Sequence, residues 1–262
     1  TAVGGVRILK AYPVFTKLSL PVGENTLVTK AGKTVYRFSV EAVGGDVRIA
    51  KFTFNVSSST GTSASATTTK YSVYAYTDSS YSQADTAFSG TGLLNASQCY
   101  GSGLDSKNGA SIANTVGLGH TNSQIEIFPD AAATACGTAH STTTYRVPVG
   151  STNKRYFDFQ VDVASVETVS GTESFTVKLL GDAAFPTAHQ DSADSQNGDM
   201  GRAGHQSASV VSVDSDTNDD FIWSPNSTSS AFALFDYDFT NGYQVPGLPG
   251  NDMSIETFTS SN

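Results

Sequence analysis

The chain has 262 residues, a length that suits a single large β-sandwich and can bury a core without metals or dense disulfides. Its formal net charge is −9 and its basic residues form no block, which argues against binding to nucleic acid or to anionic membrane surfaces. The 11 Tyr and 15 Phe, with charged residues at only 15%, favour a β-rich extracellular protein. No apolar run approaches the roughly 18 residues of a transmembrane helix.

The first predicted element is an extended segment over residues 6–20. Its even positions carry the apolar side chains Val6, Ile8, Tyr12, Val14, Leu18 and Leu20. Polar side chains occupy the odd positions 7, 17 and 19, so the period of two predicts a strand whose even-numbered face is buried. Because this strand begins so near the start of the chain, its partner could be its own sheet or the sheet of another copy.

Two strands are predicted on either side of Gly44-Gly45. These glycines can adopt the positive φ angles of a tight two-residue turn, so residues 35–56 are expected to form a paired hairpin. Within the second strand, the apolar side chains move from odd positions (47 and 49) to even positions (52, 54 and 56). This change of phase predicts a β-bulge near residues 50 and 51.

Further strand-like runs follow a Ser/Thr-rich segment, residues 57–70, that is predicted to be a surface loop. They are KYSVYAYT, SQIEIF, TTYRVPV, RYFDFQVDV and ESFTVKLL. Residues 79–94 could hold one short helical turn. Residues 181–207 contain no strand-like run and are predicted to be a long loop. The predicted fold is all-β: an antiparallel sandwich, jelly-roll or immunoglobulin-like, with long loops. Residues 1–20 are expected to be an N-terminal segment that carries the extended strand, and residues 21–262 are expected to form the sandwich domain.

Two cysteines, Cys99 and Cys136, lie in segments rich in Gly, Ser and Ala. A disulfide between them would stabilise the fold by roughly 4 kcal/mol in the chain-entropy model, and it would favour an extracellular location. Two free thiols are the alternative. The first residue is Thr rather than Met, which is expected of a chain from which a signal peptide has been removed.

Local catalytic signatures are missing from the sequence: it has no G-x-S-x-G, H-E-x-x-H, P-loop or G-x-G-x-x-G motif. The chain is therefore not expected to be an enzyme, although the paired carboxylates of a secreted hydrolase would leave no local motif. Asp214, Asp216 and Asn218 match the opening of a calcium loop. Asp219 lies where an EF-hand needs Gly, and the closing Glu is absent, so the loop is not an EF-hand. The segment could be a calcium site of another kind or a solvated acidic turn. No other cofactor is expected.

Four stretches carry a resemblance: YPVFTKLSLP and VYRFSVEAVGGDVRIAKFTFNV near the start, and DDFIWSPNSTSS and DYDFTNGYQVPGLP near the end. They resemble β-rich extracellular surface proteins of candidate-phylum (Patescibacteria) bacteria. The resemblance covers residues 11–56 and 219–250, and it implies a surface fold but no activity. In architecture, an exposed N-terminal strand before a sandwich is similar to pilus and fibre subunits that assemble by donor-strand complementation.

Two functions are compatible with these features. The leading prediction is an extracellular structural subunit that polymerises with copies of itself, by donor-strand complementation, into a filament, pilus-like fibre or surface layer. Its donor strand would insert Val6, Ile8, Tyr12, Val14 and Leu18 into a neighbouring subunit. The alternative is a carbohydrate-binding or adhesive module that takes up a surface glycan. Its candidate sugar-stacking side chains are Tyr71, Tyr74, Tyr76, Tyr81 and Trp223.

Overall fold

The computed structural model describes residues 8–58, 67–96, 123–129, 144–166, 173–183, 220–226, 240–248 and 253–260. The strands within these ranges are β1 Tyr12–Leu18, β2 Lys30–Val43, β3 Val47–Ser58, β4 Thr67–Tyr76, β5 Ser123–Ile127, β6 Tyr145–Val147, β7 Arg155–Ser165, β8 Ser174–Leu179, β9 Ile222–Ser224, β10 Thr240–Asn241 and β11 Glu256–Thr259. Apart from a 3-10 turn at Ser151–Asn153, these ranges contain no helix. None of the residues described there could therefore cross a membrane as a helix.

Two antiparallel sheets make up the described part of the fold. The first sheet has the strand order β1-β2-β7-β4. The second has the order β10-β9-β3-β8-β11, with β5 and β6 also paired to β3. Strand β3 organises the second sheet because its first half pairs with β6 and β9, whereas its second half pairs with β5 and β8.

Phenylalanine rings fill the space between the two sheets. Phe54 of the second sheet stacks on Phe159 of the first, with ring centroids 4.0 Å apart. Phe52 contacts Phe38 and Phe157 edge-on at 5.5 and 5.4 Å, and all five side chains are fully buried. Inward side chains from two facing sheets are the defining feature of a sandwich core. The predicted all-β, antiparallel sandwich class is therefore confirmed.

The predicted hairpin over residues 35–56 is wrong in its pairing, although both strands and the turn exist. Strands β2 and β3 lie in different sheets, and the chain crosses from one sheet to the other at Gly44, where φ is +83°. A Cβ at Gly44 would lie 2.6 Å from the Lys10 carbonyl oxygen, so this crossing requires glycine. The two strands face each other through Phe38 and Phe52 instead of sharing backbone hydrogen bonds.

Several other predictions are confirmed. The five strand-like runs form β4, β5, β6, β7 and β8, and the pairing of β3 with β9 shifts register between Ile49 and Lys51, where a bulge is expected.

Two predictions around β4 are wrong. Residues 67–70, predicted to be loop, belong to β4. Residues 79–94 form turns beside β4, with bridges from Tyr76 to Ala84 and from Tyr74 to Leu93, so the predicted helical turn is wrong.

Strand β1 lies at the edge of the first sheet, where all seven of its residues pair with β2 of the same chain. The prediction that its even-numbered face is buried is wrong. Phe15 is 3% exposed and packs between Phe38 and Phe221, with ring centroids 5.8 and 4.9 Å apart. Since the Phe15 ring is wholly apolar and fills the space between two other rings, its burial fixes which face turns inward. Residues 12–18 therefore belong to the sandwich.

Candidate functional site

The outer face of the first sheet carries the most distinctive group of polar and aromatic side chains among the described residues. Strand β7 turns its phenylalanines inward, so Tyr156, Asp158 and Gln160 face outward, as the alternation in RYFDFQVDV predicts. On β4, Tyr74 lies opposite Asp158 and Tyr76 lies opposite Tyr156. Cross-strand neighbours on one face are close enough for their side chains to interact.

A fourth tyrosine reaches this face from the loop that follows β4. The Tyr81 ring contacts the rings of Tyr76 and Tyr156 edge-on, at centroid distances of 5.3 and 6.2 Å. These three residues and Tyr74 are each partly exposed, and we call the four the tyrosine cluster. Tyrosine combines a large apolar ring with a polar tip, so the cluster offers both apolar surface and hydroxyl groups to a ligand.

An ion pair lies beneath the tyrosine cluster. Arg37 of β2 donates to Asp158 Oδ2 at 3.3 Å, and its guanidinium carbon lies 3.7 Å from the centre of the Tyr81 ring. The same carboxylate oxygen accepts hydrogen bonds from Thr34 Oγ1 at 3.1 Å and from Gln160 Nε2 at 3.0 Å. Asp158 is only 2% exposed, and burial raises the pKa of its carboxyl against the opposing effect of these donors.

In the tyrosine cluster, the hydroxyl groups of Tyr74, Tyr76 and Tyr81 stay protonated far above neutral pH. Burial is the main cause of the raised pKa of Tyr74, Tyr76 and Tyr81, and the nearby Asp158 carboxylate raises all three further. A protonated phenol both donates and accepts hydrogen bonds. The cluster therefore presents neutral groups that suit the hydroxyl groups of a ligand.

The loop that carries Tyr81 is fixed at its base by Asp78. The Asp78 carboxylate accepts hydrogen bonds from the backbone N–H groups of Ser82 and Gln83, at 3.0 and 2.7 Å, and from the Ser80 hydroxyl. Tyr81 itself adopts φ +58°, an unfavourable conformation for a non-glycine residue. The loop is thus held in a shape that directs the Tyr81 ring over Arg37.

Asp85 joins the continuation of this loop to the sheet. Its Oδ2 atom accepts hydrogen bonds from Tyr145 Oη and Arg155 Nε, both at 2.6 Å. Burial raises the pKa of the Asp85 carboxyl, but these two donors outweigh it, so that the pKa is lowered overall. Arg155 directly precedes Tyr156, so this contact helps to position one member of the tyrosine cluster.

Of the predicted sugar-stacking residues, Tyr74, Tyr76 and Tyr81 meet in the tyrosine cluster. Tyr71 and Trp223 do not: each is 1% exposed in the core, and Trp223 Nε1 donates to the Asn241 carbonyl oxygen. Sequence reasoning missed Tyr156, Arg37 and Asp158 as site residues. The outward phase of RYFDFQVDV was the available signal for Tyr156 and Asp158, whereas nothing local marks Arg37.

The predicted donor-strand residues are only partly described. Val6 lies outside the described residues, and Ile8 is 90% exposed. Tyr12, Val14 and Leu18 all point to the outer face of the first sheet, where Tyr12 is 39% exposed and the other two are half-buried. They therefore border the face that carries the tyrosine cluster. Their insertion into another copy stays a prediction.

The remaining predicted sites fall outside the described residues. These are the disulfide of Cys99 with Cys136 and the calcium candidates Asp214, Asp216 and Asn218. In the part of the chain that is described, no group of three or more His, Cys, Asp or Glu side chains could hold a metal ion. No protein-family model matches the chain, and no curated protein matches its sequence.

Proposed function

We propose that this chain is an extracellular binding module, without enzymatic activity, that takes up a carbohydrate chain on the outer face of its first sheet. The observation that carries the proposal is the tyrosine cluster, which surrounds the ion pair of Arg37 and Asp158 on an exposed sheet face. The C–H faces of a sugar ring are apolar and pack on aromatic rings, while its hydroxyl groups need hydrogen-bonding partners. The site offers both.

The distribution of charge supports the same function. The ion pair joins one positive and one negative group, and the raised pKa of Tyr74, Tyr76 and Tyr81 keeps their hydroxyl groups neutral, so these five side chains attract neither anions nor cations strongly. The chain as a whole carries a net charge of −9, which disfavours acidic partners such as nucleic acids. A largely neutral, hydroxyl-rich polymer fits this surface best.

A glycan array followed by titration calorimetry tests the proposal. Tyr76→Ala and Tyr156→Ala should each weaken glycan binding on the order of tenfold or more, because each removes part of the apolar platform. Tyr12→Ala is the matched control, since Tyr12 is an exposed tyrosine at the opposite edge of the same sheet. Equal binding by all three variants, or no glycan bound by the wild-type chain, would contradict the proposal.

A self-assembling structural subunit is the second proposal. It is supported by the position of β1 at the edge of its sheet and by the 90% exposed Ile8 just before it. Polymerisation through this strand would require β1 to leave its own β2 and pair with the β2 of another copy, as in domain swapping. The second copy would restore the same contacts, so the exchange would mainly cost entropy of association.

Cross-linking β1 to its own sheet tests this second proposal. Thr16 and Ser39 lie opposite each other in the register, so the double variant Thr16→Cys, Ser39→Cys should form a disulfide within one chain. Negative-stain imaging should show fibres of the wild-type chain and monomers of the oxidised variant. Fibres from the oxidised variant would rule out exchange of β1.

A further inference from the structure

Three buried polar atoms without a hydrogen-bond partner meet at the tyrosine cluster. They are Arg37 Nε, Asp158 Oδ1 and the Tyr81 hydroxyl oxygen. Thr53 Oγ1 and Ser58 Oγ, which are also buried without a hydrogen-bond partner, lie on β3 of the other sheet. Buried polar groups in proteins are nearly always paired, so three orphans at one place call for a missing partner.

The hydrogen bonds that do form show what kind of partner is missing. Asp158 Oδ2 already accepts from Thr34, Arg37 and Gln160, whereas Oδ1 accepts from none of the described groups. Arg37 Nε is an unused donor, and Asp158 Oδ1 is an unused acceptor. A hydroxyl group donates and accepts at once, so a hydroxyl group, or two on adjacent carbons, matches this pair.

A charged ligand group fits less well. A carboxylate or sulfate could accept from Arg37 Nε but would be repelled by Asp158, and an ammonium group would meet the reverse conflict. The bond between Arg37 and Asp158, 3.3 Å long, leaves neither charge free to receive a counter-ion. The subsite therefore selects for uncharged groups.

The Tyr81 ring covers the Arg37 guanidinium group. It lies 3.7 Å from the Arg37 guanidinium carbon, and it is the one member of the tyrosine cluster that is carried by a loop instead of a strand. Tyr81 also has φ +58° and a hydroxyl group without a partner. The ring is thus held over Arg37 by ring contacts without a hydrogen bond from its hydroxyl group, while Asp78 fixes the base of the loop.

We propose that Arg37, Asp158 and Tyr81 form a subsite for the hydroxyl groups of an uncharged sugar residue, which is reached when the Tyr81 ring moves off Arg37. The inference rests on the proposed function and narrows its ligand to neutral glycans. The Tyr81 hydroxyl group then finds its partner on the same sugar.

The test compares neutral glycans with acidic ones on an array that carries both, namely gluco- and manno-oligosaccharides against oligogalacturonates and hyaluronan fragments. We expect the wild-type chain to bind neutral glycans only. Asp158→Asn should weaken that binding at least tenfold, and Tyr81→Phe, which removes only the orphan hydroxyl group, should weaken it two- to tenfold. Asp162→Asn is the matched control, because Asp162 lies on the same strand, is more exposed and pairs with Lys70.

The outcomes separate the two proposals. Binding to acidic glycans as tight as to neutral ones would overturn the subsite. The subsite would also be overturned if Tyr76→Ala abolished binding to neutral glycans but Tyr81→Phe and a folded Asp158→Asn left that binding unchanged. In that case the proposed function would survive. If the wild-type chain binds no glycan, the proposed function fails and the subsite fails with it.

Discussion

Replacing Phe15 by Ala tests which face of strand β1 is buried. Phe15 is 3% exposed and contacts Phe38 and Phe221, so its removal should leave a cavity between the two sheets. A buried Phe→Ala change costs about 3–5 kcal/mol, and a strand at the sheet edge can relax, which favours the lower end. Val14→Ala is the control: Val14 is half-buried on the opposite face, and its loss should cost about 1 kcal/mol or less.

Urea unfolding at two protein concentrations is the assay. If β1 pairs with β2 of its own chain, the difference in free energy of unfolding between Phe15→Ala and wild type will not depend on protein concentration. A larger loss for Val14→Ala than for Phe15→Ala would show that the even-numbered face is the buried one. A concentration-dependent midpoint would show that the strand belongs to a neighbouring copy.

Three further predictions concern contacts within the sandwich. Asp85→Asn should be less stable than wild type by about 1–3 kcal/mol at pH 7. Because the pKa of Asp85 is lowered in the folded chain, its stabilisation is lost as the pH falls below about 4. In thermal unfolding, the difference in stability between wild type and Asp85→Asn should therefore be smaller at pH 3 than at pH 7. An equal difference at both pH values would contradict the hydrogen bonds assigned to the Asp85 carboxylate. Gly247→Ala should cost about 2 kcal/mol or more, since a Cβ there would lie 1.9 Å from the Phe15 carbonyl oxygen. Gly23→Ala, at similar φ but with no atom within 4 Å, should cost less by the same urea assay, and equal losses would refute the close approach. Trp223→Ala should cost about 3–5 kcal/mol in that assay, because Trp223 is a buried core residue; a near-neutral result would place it at the surface.

The strands could be predicted because alternation is a local property of the sequence. In β7, the inward-facing apolar side chains Phe157, Phe159, Val161 and Val163 alternate with the outward-facing polar side chains Asp158, Gln160 and Asp162. The pairing of β2 and β3 could not be predicted, because Gly44-Gly45 suits a hairpin and a crossing between sheets equally well. What decides is the packing of Phe52 and Phe54 on the first sheet, which depends on residues far along the chain.

The face of β1 was predicted wrongly because apolar side chains occupy both parities of that segment. The even set is more numerous, but the odd set contains Ala11, Pro13 and Phe15, all buried. One aromatic ring that fills a cavity between two other rings outweighs several aliphatic groups that remain half in water. Counting apolar positions does not register this difference in size.

Only part of the candidate site could be predicted from the sequence. Tyr74 and Tyr76 are two residues apart on one strand, so they share a face whatever the strand pairs with. Their contact with Tyr156 and Asp158 depends on the antiparallel register of β4 with β7, which joins residues about eighty positions apart. Arg37 comes from a third strand. Such a site is assembled by the order of strands in the sheet, and no local motif encodes that order.

The hydrogen bonding of the sheet edges argues that the outer face, and not an edge, is the binding surface of the first sheet. At the β1 edge, Pro13 has no N–H group and Phe15 N–H donates to the Pro246 carbonyl oxygen at 2.8 Å. At the β4 edge, Ala75 N–H donates to Gly92, and Leu94 N–H donates to Val73, each at 2.8 Å. Edge strands whose groups are already used cannot accept another strand without losing these bonds. The described residues thus occupy these positions of both edges with their own chain, whereas recognition through the side chains of the open face needs no rearrangement of the sheet.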